Sequence, residues 1–295
     1  MGTQIQSLNP QPIDFPNDQD GFNDGLTVTH REWIRNIHKG YLDAGADCVE
    51  TNSFSSNTIK LDEYGFGHST VSFNKNVAEL AKSVCQEYTD TPRYVIGSMG
   101  PTGYLPSTND PDLGQKPLDE ISKAFELQAT GLIQGGADAL LIETSQDILE
   151  VKLAIEGSLR AQKSTQRRVP IIVNATLDPY GRMLLGTPIQ AAYTTVADMG
   201  IDVFGLNCST GPVEMTPSIR WLNAESSHPI LVVPNAGMPE NDNGVAVYKM
   251  KPDEMASILD DFLDKFSNLR IIGGCCGTNP KHIKAMREII DSRAK

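Results

Sequence analysis

Short apolar runs alternate along this chain with longer stretches in which apolar residues return every three or four positions. The runs at 47–52, 93–98, 137–143, 169–175, 203–208, 229–235 and 269–273 each predict a strand. Between them the spacing predicts helices. Trp33, Ile34, Ile37, Tyr41 and Leu42 share one face after Thr29, the predicted N-cap, and Gly45 stops them. Further helices are predicted over about 69–88, 117–135 and 252–266. Residues 8–28, rich in Pro, Asn, Asp and Gly, predict an irregular surface loop.

The order helix, turn, strand, polar loop repeats, which implies a parallel sheet buried on both faces. Ala44-Gly45-Ala46-Asp47, Gly135-Gly136-Ala137-Asp138 and Met199-Gly200-Ile201-Asp202 each lead into a strand. In each a glycine closes a helix and an aspartate opens the strand, so Asp47 and Asp138 are read as structural. Seven predicted strands are one fewer than a (β/α)₈ TIM barrel needs. A doubly wound open sheet would carry a glycine-rich phosphate loop after an early strand, and the chain has none. The expected fold is therefore α/β, a (β/α)₈ barrel over residues 1–295 as a single domain, lacking its first strand.

With 295 residues, 39% of them hydrophobic, there is enough apolar side chain for a large core. A formal charge of -12 without a basic cluster argues against nucleic acid and against an anionic membrane surface. No apolar run reaches the roughly 18 residues a membrane span needs, and Met1 to Gln6 do not resemble a signal peptide. A cytoplasmic location with reduced thiols is expected, and an odd count of five cysteines fits it.

In parallel barrels the chemistry sits where strands end. Cys208 ends one predicted strand, and Cys275 and Cys276 follow the last in Gly273-Gly274-Cys275-Cys276-Gly277-Thr278. Adjacent cysteines do not easily meet the geometry of a relaxed disulfide, so free thiols or metal ligands are favoured. Three sulfurs at strand ends could surround one tetrahedral ion, zinc by preference, leaving a fourth position open. Spacing alone leaves a second reading standing, in which the three are small hydrophobes that fell at strand ends. Cys48, early in a strand, and Cys85, on the apolar face of a helix, are read as core residues.

The wording of these segments extends further. Gly205-Leu206-Asn207-Cys208, Pro234-Asn235-Ala236-Gly237 and the run from Gly273 to Ile283 resemble the zinc motifs of the homocysteine S-methyltransferase family. Within it they are most similar to the homocysteine-binding module of cobalamin-dependent methionine synthases. Glu50-Thr51-Asn52-Ser53-Phe54 and Gly97-Ser98-Met99-Gly100-Pro101-Thr102 resemble the same module, so the likeness covers nearly the whole chain. It implies a TIM barrel in which Cys208, Cys275 and Cys276 bind zinc and are the catalytic residues, with the homocysteine thiolate as fourth ligand. It implies that Glu143 receives the substrate's amino group, and that Asn235 approaches the open metal position when substrate is absent. Ser98, Gly100, Thr51, Asn52 and Ser53 lie where the family forms the amino-acid pocket. The implied reaction is attack of the thiolate on an activated methyl group to give methionine, with no histidine base. His282, in the helix after the cysteine pair, is expected to cap or lie on the surface.

The implied donor is methylcobalamin on a separate corrinoid protein. S-methylmethionine is the alternative donor, betaine fits the motif wording less well, and a non-catalytic zinc- or homocysteine-binding barrel is the competing class. The family's first strand ends in Asp-Gly-Ala just before Met-Gly-Thr, where this chain starts with Met1-Gly2-Thr3. The expected consequences are an open strand edge, prone to pairing with another chain, and the absence of an aspartate that helps hold substrate.

Overall fold

The computed structural model describes residues 1–242 and 245–293, so the last two positions of the predicted 1–295 domain lie outside the described residues. All seven predicted strands form. They are β1 (Cys48–Glu50), β2 (Tyr94–Met99), β3 (Ala139–Ser145), β4 (Ile171–Ala175), β5 (Val203–Asn207), β6 (Ile230–Val233) and, last in the chain, β9 (Leu269–Ile272). They pair in parallel in the order β1-β2-β3-β4-β5-β6-β9, a curled sheet in which β1 and β9 are the edges. Between β6 and β9 the short strands β7 (Glu240–Asp242) and β8 (Val245–Val247) pair antiparallel, a hairpin that the apolar pattern does not announce. Among the described residues no eighth strand joins the sheet.

The outer face of the sheet is covered by helices. In chain order they include α1 (Gly2–Ser7), α2 (Leu26–Thr29), α3 (Arg31–Asp43), α4 (Thr58–Asp62), α5 (Thr70–Cys85), α6 (Leu118–Gln134), α7 (Ile148–Thr165), α8 (Ile189–Val196), α9 (Pro212–Glu225), α10 (Pro252–Lys265) and α11 (Pro280–Arg293). Strand residues alternate between two cores, as a period of two requires. Val49, Val95, Leu140, Val173, Phe204 and Val232 point outward into the layer shared with the helices. Leu141, Ile172, Leu231 and Val233 point inward and fill the curl. A third cluster, with Ile5, Phe22, Leu26, Leu61 and Phe73, seats the amino-terminal segment on α3, α4 and α5.

Two details differ from the sequence pattern. The residues 8–28 fold into three short 3₁₀ turns and lead into α2, because Phe15, Phe22 and Leu26 are buried and pin the segment down. Thr29 closes α2 instead of capping α3, whose N-cap is His30. The recurring glycine-to-aspartate phrase has a clear role. Gly45, Gly136 and Gly200 take φ of +96°, +97° and +86°, the left-handed turn that ends each helix. The aspartates then bind the start of the sheet: Asp138 accepts from Val95 N and Asp202 from Ile171 N, at 2.8 and 2.9 Å. Lys82 neutralises Asp138 at 2.8 Å, and Arg287 meets Asp47 at 3.0 Å, so both predicted structural aspartates are salt-bridged. No helix is long and apolar enough to cross a membrane among the described residues.

Candidate metal centre and substrate recess

The three predicted cysteines converge. Their sulfurs lie within 4.8 Å of one another, with Cys208 Sγ 3.8 Å from Cys276 Sγ and Cys275 Sγ 4.0 Å from Cys276 Sγ. An ion held tetrahedrally by sulfurs at about 2.3 Å needs them about 3.8 Å apart, so two of the three pairs already have the spacing of a zinc site and the donor set fits that ion. The backbone is bent to achieve it. Cys208 and Ser209, just past β5, have φ of +59° and +61°, a conformation that costs a non-glycine residue free energy and persists only where its surroundings enforce it. Cys208 N donates to Val233 O, Cys275 N to Pro234 O, and Cys276 N to Asn235 Oδ1 at 3.1 Å. Thr278 Oγ1 closes the turn on Cys275 O at 2.6 Å.

The trio is electrostatically uneven. Hydrogen bonds from Cys208 and Cys275 hold the Cys276 thiol at about 2, with a further bond from the Tyr248 hydroxyl acting the same way. The bonds Cys275 makes to Cys208 and Cys276 push its own thiol well above the ordinary value, with burial adding to them. By contrast, burial pushes Cys48 up to about 12 and Cys85 up to about 11, which fits their packing role. Tyr248 follows β8, and a Cβ on Gly277 would lie 2.3 Å from Tyr248 Cβ, so a side chain at 277 would push this tyrosine from the sulfurs.

Beside the sulfurs, Glu143 reaches inward from β3 with 6% of its surface exposed. Ser98 Oγ donates to its Oε1 at 2.5 Å, and Asn207 Nδ2 to its Oε2 at 3.2 Å. Burial, with the charge of Glu50 next, raises the Glu143 carboxyl to about 8. Thr51 and Ser53 are tied to the backbone of Ser98, while Asn52 and Gly100 are tied to other loops. Thr51 Oγ1 accepts from Ser98 N, Ser53 Oγ donates to Ser98 O, and Asn52 Nδ2 donates to Asn23 O. Gly100 N donates to Phe54 O at 2.9 Å, and a Cβ there would come within 2.7 Å of that oxygen. Asn235 is 1% exposed with its Oδ1 committed to Cys276 N.

Of the two roles expected for His282, it takes the cap and not the surface. It is 4% exposed, so it does not lie on the surface. Nδ1 accepts from Asn279 N at 3.3 Å at the start of α11, and Nε2–H donates to Met250 O at 3.1 Å. It is a buried cap that ties the segment after the hairpin to the cysteine turn, since Met250 N in turn donates to Ala236 O.

Three inward residues were not singled out by their sequence context: Asn207, Asn174 and Glu50. Asn207 joins Glu143 to Thr144, whose φ of +56° it stabilises by accepting Thr144 N at Oδ1, 2.9 Å away. Their only sequence signal was a polar residue ending an apolar strand, which Asn207 shares with many structural asparagines.

Comparison with known proteins agrees with this geometry. Over 286 residues the chain is 40% identical to the methionine synthases of Mycobacterium leprae (strain TN) and Mycobacterium tuberculosis (strain ATCC 25618 / H37Rv). That match covers 96% of this chain and 23% of each of those proteins, so the chain spans about a quarter of their length. Among solved structures, the metallated form of the homocysteine methyltransferase MmuM from Escherichia coli superposes with a TM-score of 0.75 at 20% identity, covering 98% of this chain and 93% of that one. A B12-independent methionine synthase from Shewanella sp. W3-18-1 gives 0.57 at 13% identity, covering 97% and 96%. At such identities these two likenesses speak for the fold alone. The sequence pattern of the homocysteine S-methyltransferase family matches residues 1–290, and the chain belongs to that family.

Proposed function

We propose that this chain methylates homocysteine to methionine at a zinc site formed by Cys208, Cys275 and Cys276. The observation that carries the reading is the trio itself: three sulfurs within 4.8 Å at the mouth of a parallel barrel sheet, beside an inward carboxylate. Zinc bound there would supply Lewis acidity that keeps a fourth sulfur, the substrate's, as thiolate at neutral pH. The protein's own residues do the rest. The strained Cys208 and the turn after Gly274 hold the three sulfurs together, and a zinc ion with three protein sulfurs would accept the incoming thiol as its fourth ligand. Glu143, steadied by Ser98 and Asn207, receives the substrate's ammonium group. Binding at both ends fixes the sulfur for in-line attack on a methyl group, and that positioning is the main catalytic contribution. Asn235, held on Cys276 N, keeps the cysteine turn in place as substrate enters and leaves. Thr51, Asn52, Ser53 and Gly100 keep the recess walls at their distance.

The donor in this reading is methylcobalamin carried on a corrinoid protein or module. Tyr180, Leu184, Leu185, Val213 and Met238 support it: all are exposed, and all lie on segments that follow the ends of β4, β5 and β6. Apolar side chains exposed around an active-site mouth suit a macromolecular donor better than a small polar one.

The test is metal analysis followed by turnover. About one zinc per chain, an absorption change on adding homocysteine to the cobalt-substituted protein, and methionine formed from methylcobalamin would support the reading. Methionine formed from S-methylmethionine alone would replace the donor. Zinc and homocysteine binding without turnover with either donor would leave a non-catalytic binding barrel.

A further inference from the structure

The three sulfurs are covered in three different ways. Cys208 Sγ accepts a hydrogen bond from Ser209 N, within the turn where both residues take positive φ. Cys275 packs against the inner apolar cluster of the sheet. Cys276 meets a side chain from a separate segment, the Tyr248 hydroxyl, which donates to its sulfur. The bonds that Cys276 also takes from Cys208 and Cys275 depend on thiol protons, and a metal displaces those protons when it binds. The tyrosine proton stays.

The hairpin brings Tyr248 to this place and the backbone clamps it there. On the way out from β6, Ala236 N donates to Cys276 O at 2.9 Å. On the way back, Met250 N donates to Ala236 O at 3.1 Å, and Met250 O accepts from His282 Nε2–H at 3.1 Å. Tyr248, half-buried, lies between these ties. A Cβ on Gly277 would come 2.3, 2.4 and 2.8 Å from Tyr248 Cβ, Cγ and Cδ2, so the ring rests on the residue next to Cys276, and only a glycine leaves it room.

A zinc ion with three cysteine ligands and a substrate sulfur offers four thiolates to one methyl donor, and only one of them should react. A hydrogen bond into a thiolate lone pair lowers its nucleophilicity, and apolar packing closes the approach to it. We propose that Tyr248 is a positioning residue that acts through Cys276: its hydroxyl occupies that sulfur, so that the methyl group passes to the substrate and not to the protein. This rests on the zinc-site reading and adds to it a device that protects the ligands.

The experiment treats the zinc-loaded protein and its Tyr248→Phe variant with iodoacetamide, without homocysteine, and follows the initial rate at each cysteine by peptide mass spectrometry. Alkylation forms a sulfur–carbon bond and expels iodide, so it reads sulfur nucleophilicity with no methyl donor present. Tyr248→Phe keeps the ring on Gly277 and removes only the hydroxyl. It is expected to keep wild-type zinc content and to speed alkylation of Cys276 about tenfold, with Cys208, Cys275, Cys48 and Cys85 unchanged. In the cobalt-substituted variant the sulfur-to-metal charge-transfer absorption is expected at longer wavelength, a shift that a purely structural role would not produce. An unchanged rate at Cys276, or equal gains at all three ligands, would overturn the assignment. Loss of zinc would overturn it too, by making the hydroxyl a requirement for metal binding. If Tyr248→Phe does not fold, Gly277→Ala, whose methyl group would displace the ring, must give the same selective gain at Cys276. Wild-type protein that binds no zinc sinks the metal-site reading itself, and metal analysis shows this before any alkylation.

Discussion

Asn207 holds Glu143 from two strands away: its Nδ2 donates to Glu143 Oε2 at 3.2 Å and to Thr144 Oγ1 at 2.9 Å, while its Oδ1 accepts Thr144 N at 2.9 Å. One buried amide therefore positions the carboxylate, stabilises the left-handed turn behind it, and immediately precedes Cys208, the ligand proposed above. Removing it should disturb substrate binding more than metal binding. Asn207→Ala is expected to cost about 1–3 kcal/mol of stability through the bonds left unmade. It should raise the KM for homocysteine about tenfold or more, with zinc content preserved. Loss of zinc with an unchanged KM would show that Asn207 serves the metal turn instead.

Cys208 is placed by a strained backbone, and among the described residues no other His, Cys, Asp or Glu groups with Cys275 and Cys276. Cys208→Ala is expected to reduce bound zinc from about one per chain to near zero and to abolish methyl transfer with it, while the far-ultraviolet circular dichroism stays unchanged. Inward strand residues and the outer helices hold the fold without the metal. Metal analysis of the purified variant checks this, and retained zinc would remove Cys208 from the ligand set.

Gly100 is tested by a single methyl group. The added Cβ would come 2.7 Å from both Phe54 O and Phe54 Cε2, and the backbone oxygen cannot swing away as a flexible side chain would. Gly100→Ala is expected to lower stability by about 1–3 kcal/mol and to weaken homocysteine binding through the shifted loop after β1. Thermal melting and a homocysteine titration would show both, and a variant as stable as wild type would mean that the loop yields freely.

Asp24 carries a pH prediction. Burial raises its carboxyl from 3.8 to about 6, against the lowering effect of bonds from Ser56 Oγ and Ser55 N. Its folded-state pKa lies above the unfolded one, so its contribution is fully present below 3.8 and is lost as pH rises to about 6. That loss is about 3 kcal/mol at most. Asp24→Asn keeps an oxygen for both donors and removes the charge, so its stability should be flat across this window. Denaturant midpoints of the two proteins at both ends of the window measure the difference.

Much of this molecule was legible in its residues one after another. Apolar runs of period two, helical stretches of period 3.6 and glycine-to-aspartate turns repeat, and these local patterns determined the seven parallel strands and their order of connection. The polar strand ends also marked which face carries the chemistry, and the motifs at Cys208 and Cys275-Cys276 marked the sulfurs. A loop's composition says less: the segment over 8–28 reads as irregular until Phe15, Phe22 and Leu26 find a cluster on α4 and α5 to bury against. His282 likewise reads as a surface or cap residue, and its burial follows only from the segment around Met250 that meets it at the start of α11.

The fold class could be read along the chain, because strand and helix periodicity are local properties that burial on two faces then makes mandatory. The sequence also placed three cysteines at strand ends, and the resemblance of their motifs to a known family pointed to a metal where spacing alone left two readings open. Distance and direction came only with folding: Cys208 Sγ lies 3.8 Å from Cys276 Sγ, Asn207 reaches Glu143 across a strand, and Glu50 and Asn174 turn inward with no Lys, Arg or His side-chain partner among the described residues. Those facts depend on how far the sheet curls and on which strands become neighbours. They join residues more than sixty positions apart, so no window along the chain contains them.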